Sequence, residues 1–206
     1  MLRRLLRTHL FGGQMTTTEI ERIKNSIWIT SHCRMVAEKR YRNYDNVSSF
    51  LLSWLSLSVL AWGVVHTTKG ANAFLDTYTA LISVFVFAFS IITFGFRFGE
   101  ISVLFRECYL KLQKLQDCEN DAERLKCQYH EILGGYANHH DRDFDALVIQ
   151  RTLLTKREIR GGDGKNVVWT GWMLAKYLTR FVVFWLATIV VFALGLVPYY
   201  EILMHV

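Results

Sequence analysis

The residues best equipped for chemistry in this chain sit together at 139–143, where His139, His140, Asp141 and Asp143 could ligate a metal or exchange protons. Adjacent histidines on a helix point to different faces, and no third ligand is set by a recognisable spacing, so a solvated turn between helices is the plainer reading. The stretch GGDGKN at 161–166 imitates a phosphate cradle, yet a P-loop needs glycine where Ile159 stands and Ser or Thr where Asn166 stands. Four cysteines, Cys33, Cys108, Cys118 and Cys127, form no CxxC pair and lie outside the hydrophobic runs, which predicts reduced side chains facing the cytoplasm. No oriented acid, base and nucleophile can be assembled. The expectation is therefore no catalytic residue, no metal site and no cofactor, in a chain that is not an enzyme; a membrane-bound hydrolase would rest on 139–143 alone.

A second set of residues is notable for its surroundings. Thr79, Ser83, Ser90, Thr93 and Arg97 fall near one helical face at steps of 4, 7, 3 and 4 residues, the gap filled by Val86, within an otherwise apolar run. Ser49, Ser53 and Ser56 do the same in an earlier run. Such stripes either line a pore or let helices pack closely and hydrogen-bond across their interface, and both roles want the same residue types. Arg97, at the end of its stripe, would ring a pore mouth in an oligomer or snorkel to lipid phosphate.

Membrane helices must position these stripes. Uncharged runs stand at 46–68, 77–96 and 181–200, each near the roughly 20 helical residues that cross a hydrocarbon core. Lys39, Arg40 and Arg42 immediately precede the first run, while the link at 66–76 carries only Lys69 and Asp76. Short-loop charge bias then puts the N terminus in the cytoplasm and the hairpin loop outside. Lys176 and Arg180, among Trp169, Trp172 and Tyr177, mark a second cytoplasmic interface, so the C terminus lies outside if the third run spans.

The remaining sequence is helical in pattern, with a single proline, Pro198. Ile20, Ile23 and Ile27 predict a helix over 18–42. Ile101, Leu104, Cys108, Leu112 and Leu115 continue the second run without a breaker, predicting one helix from Tyr78 to Gln116, about 58 Å long at 1.5 Å per residue. Further helices are expected at 121–134 (Leu125, Tyr129, Leu133) and 144–159 (Phe144, Leu147, Val148, Leu154). The expected fold is all-α and integral to the membrane: a transmembrane hairpin (about 47–65 and 78–96), a helical cytoplasmic extension (about 97–159), and a third C-terminal membrane helix (about 181–200) after a loop. By segment this gives a basic N-terminal piece at 1–17, a main domain at 18–160, and 161–206. Leu2, Leu5, Leu6 and Leu10 face away from Arg3, Arg4 and Arg7, as in a surface-lying helix, but Met15 opens a capping box at Thr16 and Glu19 and is an equally good start.

The net charge of +6 arises largely in the first 46 residues, where nine Arg/Lys meet four Asp/Glu; residues 97–180 carry fourteen against twelve. Basic residues beside a membrane are explained first by orientation and anionic lipid, so nucleic acid is expected as an indirect partner at most.

The stretch SIWITSHCRMVAEKRYRNYDNVSSFLLSWLSLSVL at 26–60, a second hydrophobic run, FRECYLKLQKLQD at 105–117 and YHEILGGYANHHDRDF at 129–144 together resemble the SLATT domain, over about 120 residues. These are two-transmembrane effectors associated with SMODS nucleotidyltransferases and SLOG domains in bacterial defence, and the chain is most similar to the fifth, reverse-transcriptase-linked subfamily. The resemblance implies an antiphage effector that oligomerises in the inner membrane and forms a pore or disrupts it, causing growth arrest or cell death. It also implies a partner, a reverse transcriptase or a nucleotidyltransferase-type sensor, for which Tyr136, Asn138, His139, His140 and Asp143 are the candidate cytoplasmic surface. The alternative is a non-conducting anchor that recruits such an enzyme.

Overall fold

The computed structural model describes residues 2–69, 73–118, 121–161 and 165–204. Seven α-helices account for most of them: α1 (Leu2–Lys69), α2 (Ala73–Phe96), α3 (Phe98–Cys118), α4 (Ala122–Gly134), α5 (Asp141–Val148), α6 (Gly171–Leu194) and α7 (Val197–Met204). A π-helical turn, Ile149–Leu154, prolongs α5, and β1 (Ile159–Arg160) pairs antiparallel with β2 (Asn166–Val167). The expectation of a predominantly helical membrane protein is met. Two helix expectations are corrected. The helix expected over 144–159 becomes α5, the π turn and strand β1, and Leu154, expected to share its apolar face, is 68% exposed. The single helix from Tyr78 to Gln116 is broken at Arg97, as described below.

The chain divides into two compact units. The polar unit comprises Met1–Arg40 and Ile101–Tyr177; the membrane unit comprises Tyr41–Glu100 and Leu178–Val206. Helix α1 contributes residues to both.

In the polar unit, opposite sides of α1 seed two apolar cores. Ile27 packs with Cys108, Leu112, Leu115 and Leu125, with Tyr129 and Ile132 against them. Cys33 packs with Leu147, Val148 and Ile159, covered by Trp28, Phe144 and Trp169. Each fully buried Leu or Ile contributes about 1.5–3 kcal/mol relative to exposure. Asn25 Nδ2 donates to the Arg160 and Gly161 carbonyls at 2.6 and 2.9 Å, tying β1 to α1. The buried face of α3 is Ser102, Phe105, Cys108, Leu112 and Leu115, while Leu104 is 53% exposed, one position off the expected stripe.

In the membrane unit, Leu51, Leu55 and Ser58 of α1 form the buried face, and Trp54 stacks on Phe192 of α6 with ring centroids 4.8 Å apart. Where α6 ends, its last carbonyls lose their intrahelical partners. Trp54 Nε1 donates to the Phe192 carbonyl at 3.0 Å, and the Tyr78 hydroxyl donates to the Leu194 carbonyl. Gly195 is buried against this join: a Cβ there would stand 2.2 Å from Trp54 Nε1 and 3.0 Å from Ser58 Oγ.

Outside these contacts the membrane unit is bare hydrocarbon. The stretches Glu19–Val64, Asp76–Asp117 and Gly171–Leu194 are each long and apolar enough to cross a membrane, and only 28%, 6% and 0% of their most apolar windows is buried. Phe87, Phe94, Val183 and Ile189 are among many side chains more than half exposed. Water does not tolerate contiguous apolar surface of this extent, whereas lipid does. The third apolar run, expected at 181–200, is carried by α6 and by α7, which begins at Val197.

The Gly195 contact makes a prediction. Gly195→Ala overpacks the join and is expected to cost about 1–3 kcal/mol, measured by denaturation of the full chain in detergent micelles. Trimming Trp54 to Leu in the same chain should recover part of that loss; full stability of Gly195→Ala would show that the close approach is not formed.

Candidate functional site

Three of the seven hydroxyls singled out by spacing are satisfied within their own helices. Ser53 Oγ donates to the Ser49 carbonyl at 2.9 Å, Ser83 Oγ to Thr79 at 2.8 Å and Thr93 Oγ1 to Phe89 at 2.9 Å. Such back-bonding lets a hydroxyl sit in hydrocarbon without a partner on another helix. Ser49, Ser53 and Ser83 are exposed; Ser56, Ser90, Thr79 and Thr93 are half-buried, and Thr79 Oγ1 has no partner among the described residues. Ser58, absent from the spacing pattern, is buried by the membrane unit's part of α1, at 2% exposure.

At the end of the stripe, Arg97 takes φ 49° and interrupts the helix between α2 and α3. That conformation is strained for a residue with a Cβ. Two features allow it. Gly95 and Gly99 flank the break and favour helix less than other residues do, and Arg97 Nη2 reaches back to both Glu100 carboxylate oxygens at 2.7 and 2.5 Å. Asp45 lies against Gly99, where a Cβ would meet its Oδ2 at 3.1 Å. A rigid rod from Tyr78 to Gln116 is therefore not available to transmit motion.

Two of the basic residues expected to orient the chain are tied to carboxylates of the polar unit. Arg40 grips Asp143 through Nε and Nη2 at 2.9 and 3.0 Å, and Asp143 is 1% exposed. The same carboxylate accepts the His140 backbone N–H at 3.0 Å, which fixes the first turn of α5. Lys176 pairs with Asp145 at 2.9 Å. Lys39, Arg42 and Arg180 are exposed.

The cluster expected as a solvated turn is partly a buried one. His139 is half-buried with Nδ1 unpartnered among the described residues, while His140 and Asn138 are exposed. Tyr136 packs against the first core and carries Lys111 over its ring at 5.1 Å. Burial, and then the charge of Arg34, push the His139 pKa below its ordinary 6.5, against the opposing pull of Asp143 and Asp141. Among the described residues no group of three or more His, Cys, Asp and Glu could hold a metal.

Two residues that spacing did not reveal complete this region. Arg34 of α1 is fully buried and donates Nη1 to the Cys108 thiol. Ser31, one turn earlier, is also fully buried. Their only signal in the sequence was a lone arginine set among Cys33, Val36 and Ala37. Cys33, Cys108 and Cys127 are free thiols; the first two are buried and Cys127 is exposed.

Apolar helices without covering protein, joined to a charged helical unit, define an integral membrane protein. The chain matches the SMODS and SLOG-associating 2TM effector domain family 5 over residues 16–200 and belongs to that family. Membership makes it a membrane-associated defence effector domain. No curated protein and no solved structure matches the chain. The family description counts two membrane helices, and the described residues include three stretches long and apolar enough to span.

The ion pair and the histidine each yield a prediction. Asp143→Ala leaves Arg40 without its carboxylate and the His140 amide without an acceptor, and should destabilise the full chain by about 3 kcal/mol; Arg40→Met with Asp143→Leu should restore most of it. For His139, the unfolded chain binds the proton more readily than the folded one. Stability is then complete above about pH 6.5 and declines as pH falls below that value. His139→Asn should flatten this acid-side decline in thermal melts, and an unchanged slope would reject the burial of a neutral imidazole.

Proposed function

We propose that the chain is a bacterial antiphage-defence effector that oligomerises in the inner membrane through its apolar helices and, on activation, forms a pore or otherwise opens the membrane, arresting growth or killing the cell. The observation that carries this reading is the almost complete exposure of the apolar surfaces of α2 and α6, joined to membership of an effector family. A single copy has far more apolar face than its own helices use, and lipid together with further copies would cover it. The stripe of Thr79, Ser83, Ser90 and Thr93 supplies the hydroxyls a water-filled path needs. In this reading the N terminus lies in the cytoplasm, the C terminus outside, and a reverse transcriptase or a nucleotidyltransferase-type sensor contacts the surface around Tyr136, Asn138 and His140.

One observation favours a second reading. Because Ser53, Ser83 and Thr93 already bond within their helices, the stripe is also compatible with lipid contact, and the chain would then be a non-conducting anchor that recruits a cytoplasmic defence enzyme.

Ion flux separates the two. Reconstituted in liposomes, the wild-type chain is expected to dissipate an imposed potential, and Ser83→Leu with Ser90→Leu to insert equally well but lose flux about tenfold or more. Full insertion of the wild-type chain without flux, alone or with its partner enzyme, would leave the anchor reading.

A further inference from the structure

The polar unit buries a positive charge that its own groups do not answer. Arg34 is fully buried, and of its three nitrogens only Nη1 is engaged, with the Cys108 thiol, a weak acceptor. Nε and Nη2 meet no acceptor, and the side chain has no ion pair, among the described residues. Arginine cannot escape burial by losing its proton, so an uncompensated guanidinium in a core is strongly unfavourable.

The contrast with Arg40 is direct. One and a half turns further along α1, Arg40 uses Nε and Nη2, the same side-on fork, to hold both oxygens of Asp143. That geometry suits a carboxylate or a phosphate. In Arg34 the identical pair of donors faces no oxygen.

Two other groups lie with it. Ser31 is three residues earlier on the same face of α1, fully buried, with its hydroxyl unpartnered. His139 is close enough for the Arg34 charge to act on its ring, and its Nδ1 is unpartnered. The neighbouring carboxylates are occupied elsewhere or outward: Asp143 by Arg40 and the His140 amide, Glu38 by a group other than Arg34, while Asp141 is exposed.

We propose that Arg34, Ser31 and His139 form a binding site for a phosphate group, with Arg34 Nε and Nη2 taking two of its oxygens, the Ser31 hydroxyl and the His139 ring holding a third. Since Arg34 and Ser31 are covered, the phosphate enters by displacement of the non-helical segment 135–140 that carries His139. Occupancy therefore couples the position of that segment, and the surface around it, to a soluble or lipid-borne phosphate. This inference holds whether or not the membrane helices conduct.

The test is thermal unfolding of the full chain in a neutral detergent, titrated with inorganic phosphate against sodium chloride of equal ionic strength. Phosphate at tenfold its Kd should raise the melting temperature of the wild-type chain by about 3 °C. Arg34→Met should show no phosphate-dependent rise, and Ser31→Ala, which keeps the guanidinium, should need several-fold more phosphate for the same rise. A parallel series with phosphatidic acid in the micelle locates the source: a response to the soluble anion assigns a free ligand, and a response to the lipid alone assigns a headgroup. No rise in the wild-type chain with either, or equal rises in wild type and Arg34→Met, overturns the proposal. If Arg34→Met does not fold, an unaltered phosphate response in Ser31→Ala overturns it.

Discussion

The constraint on which the rest of this structure depends is the solvent of α2 and α6. Helices with nearly all of their apolar surface uncovered are stable only where the surroundings are hydrocarbon, and in hydrocarbon every backbone and side-chain polar group has to find a partner inside the protein. The arrangement of the membrane unit follows that demand at most positions, with Thr79 Oγ1 and Trp62 Nε1 left without a partner among the described residues. Serine and threonine hydroxyls turn back onto carbonyls one turn earlier, and the open carbonyl end of α6 receives the indole of Trp54 and the hydroxyl of Tyr78. Gly195 belongs to the same solution, because only a residue without a side chain admits the indole at that distance.

The polar unit obeys a different rule, since its charges are packed among apolar side chains rather than dispersed in water. Arg40 with Asp143 and Lys176 with Asp145 show how a buried charge is retained: each has a partner, and Asp143 has two. These contacts take basic residues that flank the apolar runs and employ them in tertiary structure.

The break at Arg97 separates α2 from α3. A rod running from the membrane into the polar unit would pass movement along by rigidity alone. Two helices separated by Arg97 at positive φ, with Gly95 and Gly99 close by, do not form such a rod. The Arg97–Glu100 pair is exposed on both partners and contributes little to stability.

Much of the fold was legible in the sequence because the signals were long. Twenty uncharged residues in a row have few explanations, so the apolar helices long enough to cross a membrane and the helical character of the rest followed from hydropathy and the lack of proline, as did α4 from Leu125, Tyr129 and Leu133. The interruptions were not legible. Gly95 and Gly99 are too weak a signal to place a break at Arg97, and the end of α5 in a π turn and a strand accompanies the packing of Ile159 with Leu147, Val148 and the distant Cys33. The site was less visible still. Spacing along one helix pointed to hydroxyls of which several bond locally, while the burial of Arg34 against Cys108 and the pairing of Arg40 with Asp143 arise from contacts between residues 74 and 103 positions apart. Sequence alone determined the solvent of each segment, since transfer free energy adds along the chain; tertiary structure decided which charges are paired and which are left over, since burial and hydrogen bonding depend on what folds against them.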